Sequence, residues 1–325
     1  MFRQKRIIDL EKCCCFFVKL LYLCKIHNKT GVTKYYMKKL LSFVILFLLL
    51  LPANAQLLWK ISGNGLKKSS YLFGTHHLVP ISFLDSIPKV YKCFNRSEVV
   101  VSEFVMSAAN MEDKVKEAAM LPPNYVYTEL LSDSDYHFVD SELKAVTKLS
   151  LNDVARLKPS MIANIYIVAY YQQLFPNDDD WQLDSFFQQV ADRQGKKVVG
   201  LETIEDQIKL IYESQSIERQ AFLLVGTLRG KDRITEELHE LNAYYKKGNL
   251  VPLLQTYLND SSEFAPTAQE KFLMLDARNL EWTKKLPDLL HKNSCFVAVG
   301  ALHLVGENGL INLLRQKGYR VSKVK

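Results

Sequence analysis

Apolar and polar positions along this chain follow two different periods. Short β-branched or aromatic runs, bounded by glycine, proline or charge, predict strands over 57–62, 70–73, 98–103, 197–201, 295–299 and 319–324. The first two flank a turn at Gly63-Asn64-Gly65. Between the strands, apolar residues recur at helical spacing. Helices are expected over 83–93, over most of 108–173 with breaks at Pro122-Pro123 and Lys158-Pro159, and over 184–194 up to a C-capping Gly195. Further helices are expected from a capping Thr203 to about Tyr212, over 216–258, over 266–291 and over 307–317. Short strands alternating with longer helices predict an α/β fold: a mostly parallel or mixed central sheet with flanking helices. The blocks 108–180 and 213–290 read as a large helical insertion or cap.

The N-terminal region carries another pattern. Met37-Lys38-Lys39 precede an apolar run of 12 residues, 40–51, and then Ala53-Asn54-Ala55. A basic start, an apolar middle and an A-x-A ending make 37–55 a signal peptide cleaved after Ala55, and the chain a secreted or periplasmic one. The run is short of the roughly 20 residues that span a bilayer. The alternative is an uncleaved N-terminal anchor, which would be the only contact with a membrane. Residues 1–36 have no place in that plan and read as an over-extended N-terminus, with translation starting at Met37. They hold Cys13, Cys14, Cys15 and Cys24, four of the six cysteines.

That division changes the charge argument. The whole chain is +7, but residues 1–55 carry ten Lys/Arg and two Asp/Glu, so the rest has 32 basic against 33 acidic residues. The basic balance belongs to the leader and gives no reason to expect nucleic acid or an anionic membrane as a partner. Residues 56–325 suffice for a single domain. Their two cysteines, Cys93 and Cys295, are either one disulfide or two buried thiols, and no C-x-x-C zinc motif is present.

Two stretches echo one another: Tyr71-Leu72-Phe73-Gly74-Thr75-His76-His77-Leu78 and Val297-Ala298-Val299-Gly300-Ala301-Leu302-His303-Leu304. Each is an apolar run, then Gly-x-x-His, then Leu. Sites in open α/β sheets form at the carboxyl ends of strands, and both His77 and His303 fall just past a predicted strand end. A single such histidine would be read as a satisfied core residue; the pair in matching context points to a shared site. Glu103 ends an apolar strand, either solvated at the rim or part of the site. Glu202 stands likewise after 198–201, where a helix N-terminus also favours a carboxylate. Two imidazoles with one or two carboxylates suit a divalent Mn, Co, Zn or Fe ion, which would activate water for hydrolysis with a glutamate as general base. Without metal the same groups serve acid/base chemistry. Arg278-Asn279, near Trp282, read either as a surface helix or as a pair pinned at the site. No H-E-x-x-H, P-loop or G-x-S-x-G competes, and Gly63-Asn64-Gly65 lacks the rest of a dinucleotide fingerprint.

These motifs together resemble the TraB/GumN family, which includes the TIKI-type metalloproteases. The resemblance runs from Leu58-Trp59-Lys60-Ile61-Ser62-Gly63 and Tyr71-Leu72-Phe73-Gly74-Thr75-His76-His77, through Val100-Val101-Ser102-Glu103, Leu183-Asp184 and Gly200-Leu201-Glu202-Thr203, to Arg278-Asn279 with Trp282 and Val299-Gly300-Ala301-Leu302-His303-Leu304. It implies a fold shared with erythromycin-esterase-like and haem-binding ChaN-like proteins. It also implies a metal-dependent hydrolase of peptides or proteins. His77, His303 and Glu103 would then be ligands, and Glu103, Glu202 and Arg278 the catalytic groups, with Arg278 orienting a carboxylate or an oxyanion. His76 stands where the family is usually apolar, which offers an extra ligand. The same residues in a haem- or metal-binding uptake protein are the alternative.

Overall fold

A computed structural model of the protein describes residues 57–107, 110–176 and 182–324. The leader segments 1–36 and 37–55, the cleavage point after Ala55 and the acidic run Asp178-Asp179-Asp180 lie outside the described residues. No helix among the described residues is long and apolar enough to cross a membrane.

Six strands form one mixed sheet: β1 (Leu58–Ser62), β2 (Ser70–Thr75), β3 (Val99–Ser102), β4 (Lys197–Gly200), β5 (Cys295–Gly300) and β6 (Arg320–Lys323), in the order β4-β3-β5-β2-β1-β6. β4, β3, β5 and β2 are mutually parallel, while β1 runs antiparallel to both β2 and β6. The fold class is therefore the mixed α/β one that the pattern predicts. The parallel strands β2, β3 and β5 are apolar and buried, whereas β4, at the sheet edge, is exposed at Lys197 and half-buried beyond it. β3 (VVVS) is buried throughout, and β5 is buried up to Gly300. The helix Leu183–Arg193 packs on the sheet through Phe187, whose ring lies 5.5 Å from Phe73 and 4.9 Å from Phe296. Each such buried phenylalanine contributes roughly 2–3 kcal/mol.

The two helical blocks pack on each other. Asp133–Thr147, Pro159–Leu174 and Ile217–Arg229 share an apolar core built from residues such as Val139, Ile162, Tyr166 and Leu224. The helix Lys231–Lys246 joins this core to the sheet, because Ile234 and Leu238 belong to the helical core and Tyr245 to the sheet core. Tyr245 is fully buried and its hydroxyl donates to the Gly74 carbonyl at 2.9 Å.

Local differences from the sequence reading have local causes. The helix expected over 83–93 is divided into a 3-10 turn, Ile81–Ser86, and a helix, Lys89–Arg96, because Pro88 has no N–H to continue the first. The last helix starts at Leu310, after Gly309. The segment after Thr203 is α-helical only to Ile208 and continues as a π-helical turn, Lys209–Glu213. A second π-helical turn, Phe272–Asp276, precedes the helix Ala277–Lys292. Cys93 and Cys295 are both buried free thiols.

Candidate active site

The parallel strands β4, β3, β5 and β2 all end on one edge of the sheet. Their exits carry, in sheet order, Glu202, Glu103, His303 and His77. Pairing between β3 and β4 continues past the strands, with the Glu202 N–H donating to the Glu103 carbonyl at 2.8 Å, so the two carboxylates leave the sheet side by side. The glycines of the two Gly-x-x-His units serve close approach. A Cβ on Gly74 would lie 3.0 Å from the Ala301 backbone, and one on Gly300 would lie 3.2 Å from Glu103 Oε1. Neither glycine has a positive φ, so close approach and not backbone conformation is what requires them.

Glu103, Glu202 and His303 converge on Arg278. The guanidinium donates through Nη2 to Glu103 Oε2 at 2.5 Å, and through Nη2 and Nε to Glu202 at 2.5 and 3.2 Å. Its Nη1 lies 3.0 Å from His303 Nε2. All four side chains are 13 % accessible or less. Glu202 also accepts from the Trp282 indole N–H at 3.1 Å and from Gln207. These donors fill its acceptor capacity, so Glu202 anchors Arg278. Glu103 keeps one oxygen apart from the guanidinium: Oε1 accepts from the Gly300 N–H at 2.8 Å and lies 4.0 Å from His303 Nε2.

The histidine tautomers follow from their partners. His303 Nδ1 faces Asn279 Oδ1 at 2.8 Å, while the Asn279 amide group donates to the carbonyls of His303 and Asn308. The amide oxygen must therefore accept, His303 carries its proton on Nδ1, and Nε2 accepts from Arg278. The Trp282 ring packs on the imidazole with centroids 4.5 Å apart. His77 Nδ1 stands 2.7 Å from Asp184 Oδ2, and Asp184 also accepts from the Thr75 hydroxyl. Asp184 lies in the first turn of the helix Leu183–Arg193, where the dipole favours a carboxylate. The same helix sends Gln188 to the backbone of Phe104 and Met106, which fixes the loop that follows Glu103.

Electrostatics separate the two imidazoles. Asp184 raises His77 to about 9, against the opposing effect of its surroundings. Burial lowers His303 to about 3. Burial also works against a charged Glu103, but His303, Arg278, His77 and the Gly300 amide outweigh it and take the carboxyl to about 2. Because His303 is itself neutral at neutral pH, Arg278 and the charged His77 are the cations that hold Glu103 ionised. His77 is 60 % accessible at its side chain, and it feels the charges of Glu103 and Arg278. His76 packs its ring on Tyr245 at 5.2 Å and accepts at Nδ1 from the Leu78 N–H, and burial lowers it to about 4.

The donor set is the nitrogen and oxygen mixture that divalent transition ions take. Each Nδ1 of His77 and His303 is held by a protein oxygen, which leaves Nε2 of His77 as a coordinating face, while Nε2 of His303 faces Arg278. No group of three or more His, Cys, Asp or Glu side chains among the described residues is placed to hold a metal ion. Arg278 stands where Glu103 and His303 meet. Asp184, Asn279, Gln207 and Trp282 are the site residues that reading for strand exits missed. Of these, Asp184, Asn279 and Trp282 lie within motifs already noticed for the resemblance.

The chain belongs to the TraB/PrgY/gumN family, whose model matches residues 57–323. It is similar to Metalloprotease TIKI2 of Danio rerio, with 24% identity over 319 residues, covering 81% of this chain and 60% of that protein. The chain thus spans less than two thirds of that relative's length. No solved structure matches it.

Proposed function

We propose that this chain is an exported, metal-dependent hydrolase that cleaves peptide bonds at the carboxyl edge of its parallel strands. The observation that carries the reading is the pair of imidazoles, His77 and His303, delivered from β2 and β5 to that edge with each Nδ1 held by a protein oxygen. Family membership and the similarity to a metalloprotease support it. His77 and His303 would hold a divalent ion, with Glu103 as the carboxylate beside them. Such an ion supplies a Lewis acid and lowers the pKa of water to near neutrality. A carboxyl held at about 2 is a weak base, so Glu103, kept ionised by Arg278, would serve as an anionic ligand through Oε1. Arg278 offers a fixed cation beside an oxyanion, and Glu202 with Trp282 keeps it in place.

A second reading is favoured by Arg278 itself, whose contacts with Glu103 and His303 occupy the groups a metal would need. In that reading the His77–Asp184 pair performs acid/base hydrolysis without metal. Elemental analysis after equilibration with Mn, Co, Zn and Fe, paired with a peptide-library digest with and without chelator, separates the two. The first expects one ion per chain, lost in His77→Ala and His303→Ala, and cleavage that a chelator stops. Metal-free protein that cleaves in chelator establishes the second, and protein that neither binds metal nor cleaves any peptide overturns both.

A further inference from the structure

Away from the carboxyl edge, a cavity of about 500 Å³ lies beside β1, β2 and β6, under the helix Lys89–Arg96. Its charged lining is entirely basic: Lys60, Lys89, Lys92, Arg96 and Lys323. Lys89, Lys92 and Arg96 are three and four residues apart, which places them on one face of their helix. Lys60 projects from β1 in register with Tyr71 and Ser322, which also line the cavity. Among the described residues, Lys60, Lys89, Lys92 and Arg96 form no ion pair with a carboxylate. The nearest acids in sequence are engaged elsewhere, Asp85 with Tyr91 and Glu98 with Lys68 and the Ser294 N–H. Lys60, Lys89, Lys92 and Arg96 are thus exposed like charges that share one hollow and repel one another, although residues 56–325 carry 33 acidic residues against 32 basic ones.

We propose that this cavity is a binding site for a phosphoryl anion, a phosphate ester or diphosphate carrying two or more negative charges. Several lysines around a concave surface match a ligand with multiple charged oxygens, and Arg96 adds a planar fork suited to two phosphate oxygens. A simple carboxylate, with one charge and two oxygens, would leave most of the lining unmatched. Cys93 at the cavity wall is a buried thiol that its surroundings keep protonated, so the site binds by charge and not by covalent or metal chemistry. The site is separate from the histidine edge and does not depend on the hydrolase reading.

The test is calorimetric titration of the purified full chain with inorganic pyrophosphate at about 0.15 M salt. In parallel, sedimentation measures binding to phosphatidylcholine vesicles with and without phosphatidylglycerol. The pair Lys92→Glu with Arg96→Glu, and separately Lys60→Gln with Lys89→Gln, should each weaken binding by about tenfold or more. Lys116→Glu, an exposed change elsewhere, should leave it unaltered. An unchanged unfolding midpoint shows that the variants fold. Pyrophosphate binding identifies a soluble phosphate as the ligand, and binding only to vesicles containing phosphatidylglycerol identifies a lipid headgroup. Failure to bind either probe, or binding that both double variants leave intact, overturns the proposal.

Discussion

His77 Nδ1 and Asp184 Oδ2 stand 2.7 Å apart, across the gap between the exit of β2 and the first turn of the helix Leu183–Arg193. The carboxylate fixes which ring nitrogen faces the site and raises His77 to about 9. In Asp184→Asn the charge is gone while the shape remains. The His77 midpoint should then fall towards about 6.5, read by imidazole NMR on metal-free protein. If His77 holds metal, affinity should drop about 10–100-fold as well. A titration curve that does not move would show that Asp184 plays no such part.

Arg278 is the shared cation of two buried carboxylates. Truncating it to alanine leaves Glu103 and Glu202 facing each other without a counter-charge. The expected loss is about 3–5 kcal/mol in denaturant unfolding. Adding Glu202→Gln to Arg278→Ala should restore part of that stability, because one of the stranded charges is removed. Arg278→Ala with near-native stability would mean that the carboxylates find other partners.

A different ion pair contributes to acid behaviour. Burial opposes ionisation of Glu270, but Arg219, the Thr267 N–H and Gln215 outweigh it and take the carboxyl to about 2. The folded value is below the unfolded value of about 4.3, so folding stabilises the charged form. Its contribution, at most roughly 3 kcal/mol, is complete above about pH 5 and is lost as pH falls through 4 towards 2. Unfolding measured from pH 6 to pH 3 should show a shallower decline in Glu270→Gln than in the unaltered protein. Parallel curves would remove Glu270 from the acid response.

The helical block should loosen from the sheet when Tyr245 loses its hydroxyl. Tyr245→Phe removes the donor to the Gly74 carbonyl and should cost about 1 kcal/mol. Hydrogen exchange should quicken first at the start of the segment 76–79, next to that carbonyl. Phe187→Ala, which empties a place in the sheet core, should cost about 3–5 kcal/mol and speed exchange across β2 and β5. Equal effects from the two changes would contradict the separation of these contacts.

Much of the sheet was legible because its signals are local. Buried parallel strands need uninterrupted apolar runs, and the residue that ends each run marks the exit: Glu103, Glu202, His77 and His303 stand out for that reason. What Arg278 touches was not legible, since its contacts with Glu103, Glu202 and His303 come from three other segments of the chain. Asp184 stood in a motif of the resemblance, but its own pattern was that of a carboxylate at a helix start, which needs no function. The π-helical turns at Lys209–Glu213 and Phe272–Asp276 were hidden because a one-residue widening leaves the apolar period almost unchanged. The packing of the two helical blocks into one core was hidden because each stretch shows only its own apolar face.

The position of β5 has a consequence for when the chain becomes competent. It lies between β3 and β2, yet it follows all the other strands except β6 in the chain. A partly synthesised chain can pair β1 with β2 and β3 with β4, but these pairs remain separated by a vacant position, two strand spacings or about 9.6 Å across. His77 then stands on one side of the gap, Glu103 and Glu202 on the other, and Arg278 has no His303 to meet. Insertion of β5 joins the halves and delivers the second histidine in the same event. Completion of the sheet is thus also the moment at which the site comes into being, so an unfinished chain carries its reactive groups in separate, inert pieces.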